Sequence, residues 1–493
     1  MNAGGGIITA RPRVDAIAAV AVATLAGGCA ASAPATLKLD LCALPGLAEQ
    51  VSCGLHEVWE NRTARNGRRI PLRVVMLPAH SPTPAPDPIV VLEGGPGASN
   101  VSAARFLAGS PLRAQRSILL VDLRGTGASA PLDCDFQSGY SSTGYLEDFL
   151  PISGVRACRD SLSARADLTQ YAMPQVLDDL AEVLDALGLE QVNLHGFSGG
   201  TRQALAFLRR HPGRVRTALL EGPVPLDARI PLTFARDAQD ALDGVLSECL
   251  ADSACGRAFP AIKQEFLSVL RRVDSAPVPV RVARTNDSVQ ISLSRPAFAQ
   301  VIRYMLYSPA AAAALPLSVH LAARGDFTRL GQMAVSVAVG GGVSMGFYLS
   351  STCSEDLPWF SDAEGTTAAA GTFLGDYRLH QQRAACDTWP KAELPAGYLE
   401  PVRSEVPVLI LAGARDPVTP PRWGHEIAKH LSNARVIVVP GGGHVFGDLG
   451  SPDCLPGIRE EFLDRASVAE LQVECVSRLR RPPFQLADRP VQP

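Results

Sequence analysis

The sequence predicts an α/β fold with a mostly parallel central sheet, helices on both of its faces and an inserted helical lid domain. Short apolar runs alternate with segments of helical periodicity between residues 89 and 220, as they do in parallel α/β sheets. Helical segments then dominate from about residue 225 to 401, after which two further strand patterns follow. A sheet that is interrupted by helices and then resumed predicts one core that carries a lid.

Each expected strand is a short apolar run that ends at a glycine or a polar turn residue. The expected strands are 89–92, 117–121, 191–195, 215–220, 406–411 and 435–439. Apolar residues recur at helical spacing over 176–187, and Gly188 follows as a C-terminal cap. A second helix is expected over 201–210, where Pro212 ends it, and the proline-rich run 78–88 is expected to be a loop.

The composition fits a globular protein, since 46% of the 493 residues are hydrophobic and 19% are charged. We expect an export signal at 1–28, a spacer at 29–54, a first core part at 55–224, a helical lid at 225–401 and a second core part at 402–493. A net charge of −3 and the lack of a basic stripe argue against nucleic acid as a partner. We expect no cofactor and no metal, because no C-x-x-C pair with partner histidines occurs.

The N-terminus has the pattern of an export signal. Arg11 and Arg13 precede an apolar run at 16–26, which is too short to span a bilayer as a helix. The run 25–29, Leu-Ala-Gly-Gly-Cys, is similar to a bacterial lipoprotein cleavage box, although its leucine stands one place further from Cys29 than usual. Two outcomes stay open: a lipidated Cys29 as the sole membrane attachment, or an ordinary cleaved signal with a periplasmic or secreted product.

The remaining ten cysteines form close neighbours along the chain, which suits disulfides in an oxidising compartment. Pairing in sequence order is one hypothesis, and buried free thiols are the alternative. The neighbours are Cys42 with Cys53, Cys134 with Cys158, Cys249 with Cys255, Cys353 with Cys386, and Cys454 with Cys475.

A candidate nucleophile stands in the run Gly-Phe-Ser-Gly-Gly at 196–200. The run follows an expected strand and opens an expected helix, which is the context that a nucleophile elbow requires. Glycine at 196 and 200 leaves room for the tight turn, and the strained turn lifts the hydroxyl of Ser198 above the sheet. The run therefore predicts Ser198 as the nucleophile.

A serine needs a base that takes its proton and an acid that orients the base. Asp416 and His444 each follow one of the last two expected strands, where α/β sheets collect their catalytic groups. We therefore expect His444 to act as base and then as acid, with Asp416 holding its tautomer. His195 also ends a strand, but it precedes the elbow and is expected to pack beneath the site.

The oxyanion of an acyl-transfer reaction needs backbone N–H donors. We expect one from Gly199, directly after the nucleophile, and another from the turn of Gly94 and Gly95, which has no side chains in the way. A plain tight turn is the alternative for these glycines. Asp122 and Arg124 are expected to brace the turn from a neighbouring loop.

Together these segments resemble the α/β-hydrolase serine aminopeptidases, the family of proline iminopeptidases and tripeptidyl aminopeptidases. The resemblance runs from about residue 58 to 475, and its most specific parts are Gly-Gly-Pro-Gly at 94–97 and Asp-Leu-Arg-Gly-Thr-Gly-Ala-Ser at 122–129. It extends to the elbow, to the Asp416 and His444 segments, to 351–356 and to the cysteine-bearing tail of exported members. Glu93 stands where the best-known iminopeptidases have histidine, which weakens the transfer of strict proline specificity.

The resemblance implies an enzyme that releases N-terminal proline or short peptides through an acyl-enzyme, without a metal. Such an enzyme must bind a free α-amine with a carboxylate, because an unpaired buried ammonium is costly. Glu355 and Asp356 in the lid segment are the candidates, with Glu93 and Glu221 as outsiders. A solvated acidic loop is the alternative for the lid pair.

Two other functions compete with a peptidase that takes a peptide or a small acyl substrate. A carboxylic-ester hydrolase would use the same triad, and the dependence on a free amine separates the two. A non-catalytic binding protein on the same scaffold predicts a damaged triad, whereas every triad position has a candidate here.

Overall fold

The computed structural model describes residues 1, 9–10, 36–134, 136, 144–283, 287–339 and 342–487. The expected export signal, including Cys29, lies almost wholly outside the described residues. Residues 36–493 form one compact unit, and the architecture below is that of its described part.

The centre of this unit is a nine-stranded sheet, and a separate two-stranded hairpin accompanies it. The strands are β1 (Asp40–Ala43), β2 (Gln50–Trp59), β3 (Arg69–Leu77), β4 (Ile89–Leu92), β5 (Ile118–Val121), β6 (Val192–Phe197), β7 (Val215–Glu221), β8 (Val278–Ala283), β9 (Ser288–Leu293), β10 (Val408–Gly413) and β11 (Ala434–Val439).

The strand order in the large sheet is β1-β2-β3-β5-β4-β6-β7-β10-β11. The three pairings among β1, β2, β3 and β5 are antiparallel, and the five pairings from β5 to β11 are parallel. The predicted fold class, a mostly parallel sheet with helices on both faces, is confirmed.

The helices lie on both faces of the sheet and in the segment between β7 and β10. They are α1 (Ala104–Leu107), α2 (Gly144–Glu147), α3 (Ile152–Ser163), α4 (Met173–Ala186), α5 (Gly199–Arg210), α6 (Phe234–Ala251), α7 (Ser253–Ala258), α8 (Ile262–Ser275), α9 (Arg295–Met305), α10 (Pro309–Ala323), α11 (Thr328–Val339), α12 (Met345–Glu355), α13 (Asp362–Ala369), α14 (Tyr377–Thr388), α15 (Pro421–Ala428) and α16 (Cys454–Arg465).

Apolar side chains on the parallel strands point alternately to two cores. Val90 and Leu119 belong to the core that also contains residues of α4, α5 and the helices between β7 and β10. Ile89 and Leu120 belong to a second core, which α16 covers. Burial on both faces explains why these strands read as continuous apolar runs in the sequence.

The expected spacer at 29–54 is corrected by the structure, because β1 and the first half of β2 lie within it and pair into the large sheet. The alternation of buried residues in β2 changes phase in mid-strand. Val51 and Cys53 are buried, Leu55 is exposed, and His56 and Val58 are buried. A run whose alternation shifts by one residue hides the strand pattern in the sequence.

The segment between β7 and β10 contains α6 to α14 and the hairpin of β8 and β9. It supplies the side chains that roof the site described below. Among the described residues, no helix is both long and apolar enough to cross a membrane.

Five disulfides join the described cysteines, and they are the five neighbouring pairs expected from the sequence. Cys353 on α12 and Cys386 on α14 connect two helices of the segment between β7 and β10. Their sequence separation of 33 residues is the largest of the five.

Replacing Cys353 and Cys386 together by alanine is expected to lower the free energy of unfolding by about 3–4 kcal/mol, since the disulfide closes a long loop in the unfolded chain. Removing Cys249 and Cys255, which are equally buried but only 6 residues apart, should cost about 2 kcal/mol. Urea unfolding under oxidising conditions measures both. A larger loss from the short loop would contradict the expectation.

Candidate active site

Ser198 occupies the sharp turn between β6 and α5. Its backbone has φ 54° and ψ −123°, a conformation that non-glycine residues rarely adopt, and its N–H donates to the carbonyl of Glu221 at 2.8 Å. Such strain is characteristic of functional sites, where it holds a side chain in a reactive position.

The glycines beside Ser198 are required by the closeness of the neighbouring backbone. A Cβ at position 196 would lie 2.7 Å from the carbonyl oxygen of Gly200, and a Cβ at position 200 would collide with the carbonyl of Leu92 on β4. The turn can therefore form only with glycine at both positions, which gives the Gly-x-Ser-x-Gly pattern its physical basis.

The structure brings Ser198, His444 and Asp416 together, although 246 residues separate the serine from the histidine. His444 Nε2 lies 3.0 Å from Ser198 Oγ, and His444 Nδ1 lies 2.9 Å from Asp416 Oδ2. Because a carboxylate only accepts, the imidazole carries its proton on Nδ1, and Nε2 is free to accept the serine proton.

Asp416 is held by the turn that follows β10. Its Oδ1 accepts from the amides of Val418 and Thr419, each at 2.8 Å, and its Oδ2 accepts from Thr419 Oγ1 at 2.6 Å. Burial alone would raise the pKa of Asp416, but the charge and hydrogen bond of His444 and the Thr419 donors lower it below its ordinary value. Asp416 therefore stays ionised and orients the imidazole.

Thr419 is a part of this site that the sequence reasoning did not single out. Its hydroxyl lies 2.6 Å from Asp416 Oδ2 and 3.2 Å from His444 Nδ1, so it contacts both members of the acid–base pair. A hydroxyl three residues after the candidate acid was the available signal, because an aspartate that begins a turn accepts from that position.

His444 is also held by residues from the segment between β7 and β10. The amide of Val445 donates to the carbonyl of Tyr307 at 2.9 Å, and the Tyr307 ring lies edge-on to the imidazole with centroids 5.0 Å apart. The ring of Phe197 lies 5.1 Å from the imidazole. The turn between α9 and α10 thus helps to position the base.

The expected oxyanion donors Gly95 and Gly199 face the space beside Ser198. A Cβ on Gly199 would lie 3.4 Å from the Gly95 nitrogen, and neither amide has an acceptor in the described part of the chain. Gly94 contributes by its lack of a side chain, since a Cβ there would lie 2.9 Å from Ser198 Cβ.

Asp122 holds the segment that directly follows the turn at 94–97. Its Oδ1 accepts from Ser99 Oγ at 2.7 Å and from the amide of Val101 at 3.0 Å. Arg124, in contrast, does not contact this turn: its guanidinium forms a bidentate pair with the buried Asp179 of α4, at 2.6 and 2.7 Å.

A cavity of about 500 Å³ opens above Ser198 and His444. The sheet side contributes the turn of Glu93, Gly94 and Gly95. Helices between β7 and β10 contribute much of the remaining lining, with Phe234 and Ala235 from α6, Gln300, Arg303 and Tyr304 from α9, Tyr348 from α12, and Arg378 and Leu379 from α14. A substrate at Ser198 would therefore be enclosed by the helical segment.

The expectation that Glu355 and Asp356 bind the substrate amine is wrong in geometry, because neither residue lines the cavity. Asp356 accepts from Arg202 at 2.8 Å, and Glu355 accepts from Tyr398 Oη at 2.7 Å and from the amide of Met173 at 3.0 Å. Burial raises the pKa of Asp356 to about 6, although Arg202 opposes this. Both carboxyls are used to connect α12 to the core.

Glu93 and Glu221, the two less favoured candidates for binding the substrate amine, differ in their surroundings. Glu221 is held by His195 at 3.0 Å and by a bidentate pair with Arg459 at 2.8 and 2.7 Å; burial alone would raise its pKa, but these partners lower it to about 2. His195 thus packs beneath the elbow, as expected. Glu93 lines the cavity, and burial raises its pKa despite the opposing effects of His195 and the Gly94 amide.

The described residues contain no group of three or more His, Cys, Asp or Glu side chains placed to hold a metal ion.

Comparisons with known proteins match both halves of this site. A family model described as an alpha/beta hydrolase fold matches residues 87–255, and one described as a TAP-like protein matches residues 371–475. Serine protease Hip1 of Mycobacterium tuberculosis strain H37Rv is 27% identical over 391 residues, which cover 70% of this chain and 72% of Hip1. Hip1 of Mycobacterium bovis matches to the same extent.

Solved structures match as well, and two of them are a peptidase and an esterase. Proline iminopeptidase of Mycobacterium smegmatis is 16% identical, with 84% of this chain and 99% of that chain covered and a TM-score of 0.41. An esterase of Exiguobacterium antarcticum is 16% identical, with 80% and 94% covered and a TM-score of 0.33. The family models, the Hip1 match and the hydrogen-bonded serine, histidine and aspartate together show the family of this chain. The chain belongs to the α/β-hydrolase family, as a serine hydrolase with a TAP-like C-terminal region.

Proposed function

We propose that the chain is an exported serine aminopeptidase that releases an N-terminal proline or a short peptide through an acyl-enzyme. The observation that carries the proposal is the hydrogen-bonded line Ser198–His444–Asp416 at the floor of a cavity that the helical segment encloses. The relative Hip1, a serine protease, supports a peptide bond as the target.

The geometry supports a two-step reaction. Ser198 Oγ attacks the scissile carbonyl carbon while its proton passes to His444 Nε2, and the amides of Gly95 and Gly199 donate to the oxyanion. The C–N bond breaks as His444 returns this proton to the leaving amine. A water molecule then attacks the acyl-enzyme with His444 as base, which releases the carboxylic acid and restores the serine.

Glu93 is our candidate for binding the substrate's α-amine in place of the lid acids. It is the only acidic side chain among the described residues that line the cavity, and it directly precedes Gly94 beside Ser198. An N-terminal residue bound as the acyl group would carry its ammonium close to the nucleophile, where an anionic Glu93 would offset the cost of desolvating it.

Export is supported by the five disulfides, since such bonds persist in oxidising compartments and are rare in the cytosol. An export signal would bring the chain to such a compartment. Lipid attachment at Cys29 is a further part of the proposal, tested by mass spectrometry of the mature N-terminus.

Acetylating the α-amine of a peptide substrate is expected to lower kcat/KM by about 10- to 100-fold, because a charge-assisted hydrogen bond to Glu93 is lost. Glu93→Gln should reduce the preference for the free amine over the acetylated form by a similar factor. The exposed Glu190→Gln serves as the matched control and should keep the wild-type preference. Equal rates on free and acetylated peptides, with faster cleavage of simple acyl esters, would favour the esterase alternative.

The pH dependence gives the same test a second readout. The pKa of Glu93 is raised, so the carboxyl takes up a proton at higher pH than an ordinary glutamate as the solution is acidified. The preference for the free amine should therefore fall as pH drops through that raised pKa, and it should be present above it. In Glu93→Gln this pH dependence of the preference should disappear.

A further inference from the structure

Besides Glu93, the cavity is lined by two arginines, Arg303 on α9 and Arg378 on α14. Arg303 is only 7% exposed, yet no carboxylate among the described residues forms an ion pair with it. The other buried arginines of the described chain all have such a partner. They are Arg113 with Glu49, Arg116 with Asp87, Arg124 with Asp179, and Arg202 with Asp356.

Aromatic rings hold the two guanidiniums in place of carboxylates. Arg303 lies over the rings of Phe234 at 4.5 Å and Tyr307 at 5.5 Å. Arg378 lies over the ring of Phe149 at 3.4 Å and donates to Tyr348 Oη at 2.8 Å. Stacking on a ring face fixes a guanidinium but leaves the N–H groups at its edge available to an acceptor.

Several polar side-chain atoms of α9 and α14 are buried without a hydrogen-bond partner in the described part of the chain. They include Arg303 Nε, Arg378 Nη1, Gln300 Oε1 and Tyr377 Oη. A buried donor without an acceptor costs about 1–3 kcal/mol, and more when it is charged. Arg303 and Arg378 both line the catalytic cavity, so a ligand in the cavity can supply the acceptors that their N–H groups lack.

We propose that Arg303 and Arg378 form a subsite that binds a carboxylate of the substrate in the catalytic cavity. The inference rests on the proposed peptidase function, because a short peptide carries a carboxylate at its C-terminus or on an acidic side chain. The subsite is close to the triad, since the Tyr307 ring that supports Arg303 also contacts His444. A peptide with its ammonium at Glu93 and its carboxylate at the arginines would match the charged side chains that line the cavity.

Three otherwise identical short peptides test the subsite: one with glutamine and a C-terminal amide, one with glutamine and a free C-terminus, and one with glutamate and a C-terminal amide. We expect kcat/KM for at least one carboxylate peptide to exceed that of the neutral peptide by about 10- to 100-fold, the effect of one or two charge-assisted hydrogen bonds. The favoured peptide identifies the source of the carboxylate. Equal rates on all three would overturn the proposal.

Arg303→Met and Arg378→Met should each reduce this preference toward one, whereas the exposed lid variant Arg236→Met should retain it. Arg303→Met should also keep or raise the midpoint of thermal unfolding, because an unpaired buried charge is replaced by an apolar side chain. A lower midpoint with an unchanged preference would show a purely structural role. If Arg303→Met does not fold, the half-buried Arg378→Met provides the same readout.

The 4-nitrophenyl monoester of succinic acid carries a free carboxylate, and the 4-nitrophenyl ester of succinamic acid carries a neutral amide in its place. They separate failure of this inference from failure of the proposed function. If the protein cleaves none of the three peptides but prefers the succinate ester, and the arginine variants lose that preference, the proposed peptidase function is refuted and the subsite is retained. A chain that cleaves peptides without any carboxylate preference would refute the subsite and retain the peptidase.

Discussion

Replacing Ser198 by alanine is expected to lower kcat by about 10⁵- to 10⁶-fold, because the chain then has no hydroxyl at the position that His444 can deprotonate. Covalent labelling by an organophosphonate should be lost at the same time. Alanine can keep the backbone conformation that serine already adopts at φ 54°, so the fold should persist. Hydrolysis of an aminoacyl chromogenic substrate and mass spectrometry of the labelled protein measure the two effects.

The exposed Ser268 provides the matched control, since Ser268→Ala removes a hydroxyl that only bonds the carbonyl of Glu265 on its own helix. This variant should label and turn over like the wild type. Labelling that survives in Ser198→Ala would place the nucleophile elsewhere and would contradict both the triad and the elbow argument. Circular dichroism of both variants separates loss of chemistry from loss of structure.

The parallel part of the sheet could be predicted from the sequence because its strands are buried on both faces. Ile89–Leu92 and Ile118–Val121 are uninterrupted apolar runs, and every residue in them is buried. The strands outside the parallel part could not be recognised in the same way. In β2 the buried alternation shifts phase, and β8 contains a proline, Pro279, at one of its exposed positions.

The triad could be predicted because each member is recognisable from its own local context. Ser198 stands between a strand and a helix, and Asp416 and His444 each follow a strand of the same sheet. Parallel strands end at one edge, so local placement is enough to bring such residues together. No contact between distant residues has to be known in advance.

The structural role of Glu355 and Asp356 could not be predicted, because their burial depends on contacts between distant residues. Asp356 is paired with Arg202, which is 154 residues away, and Glu355 is bonded by Tyr398, which is 43 residues away. Nothing in the local run around Glu355 shows that these partners exist. An acidic pair in a lid segment therefore has the same local sequence pattern whether it binds a substrate or stabilises the lid.

Replacing Asp416 by asparagine is expected to lower kcat by about 10⁴-fold while the fold is retained. The amide NH₂ would face His444 Nδ1, at the position where Asp416 Oδ2 now lies 2.9 Å from that nitrogen. Nδ1 would then accept, the proton would move to Nε2, and Nε2 could no longer accept the proton of Ser198. Single-turnover kinetics on an activated aminoacyl ester measure the acylation rate directly.

Thr419→Val gives the matched comparison, because it removes one hydrogen bond to Asp416 and leaves the carboxylate in place. The lost bond to a charged acceptor should reduce kcat by about 10- to 100-fold, well short of the asparagine variant. The double variant Asp416→Asn, Thr419→Val should be hardly slower than Asp416→Asn alone, since the threonine acts through the carboxylate that the asparagine has replaced. If Asp416→Asn stays within tenfold of the wild type, another group must orient His444; if the two losses multiply in the double variant, Thr419 acts on the imidazole independently of Asp416.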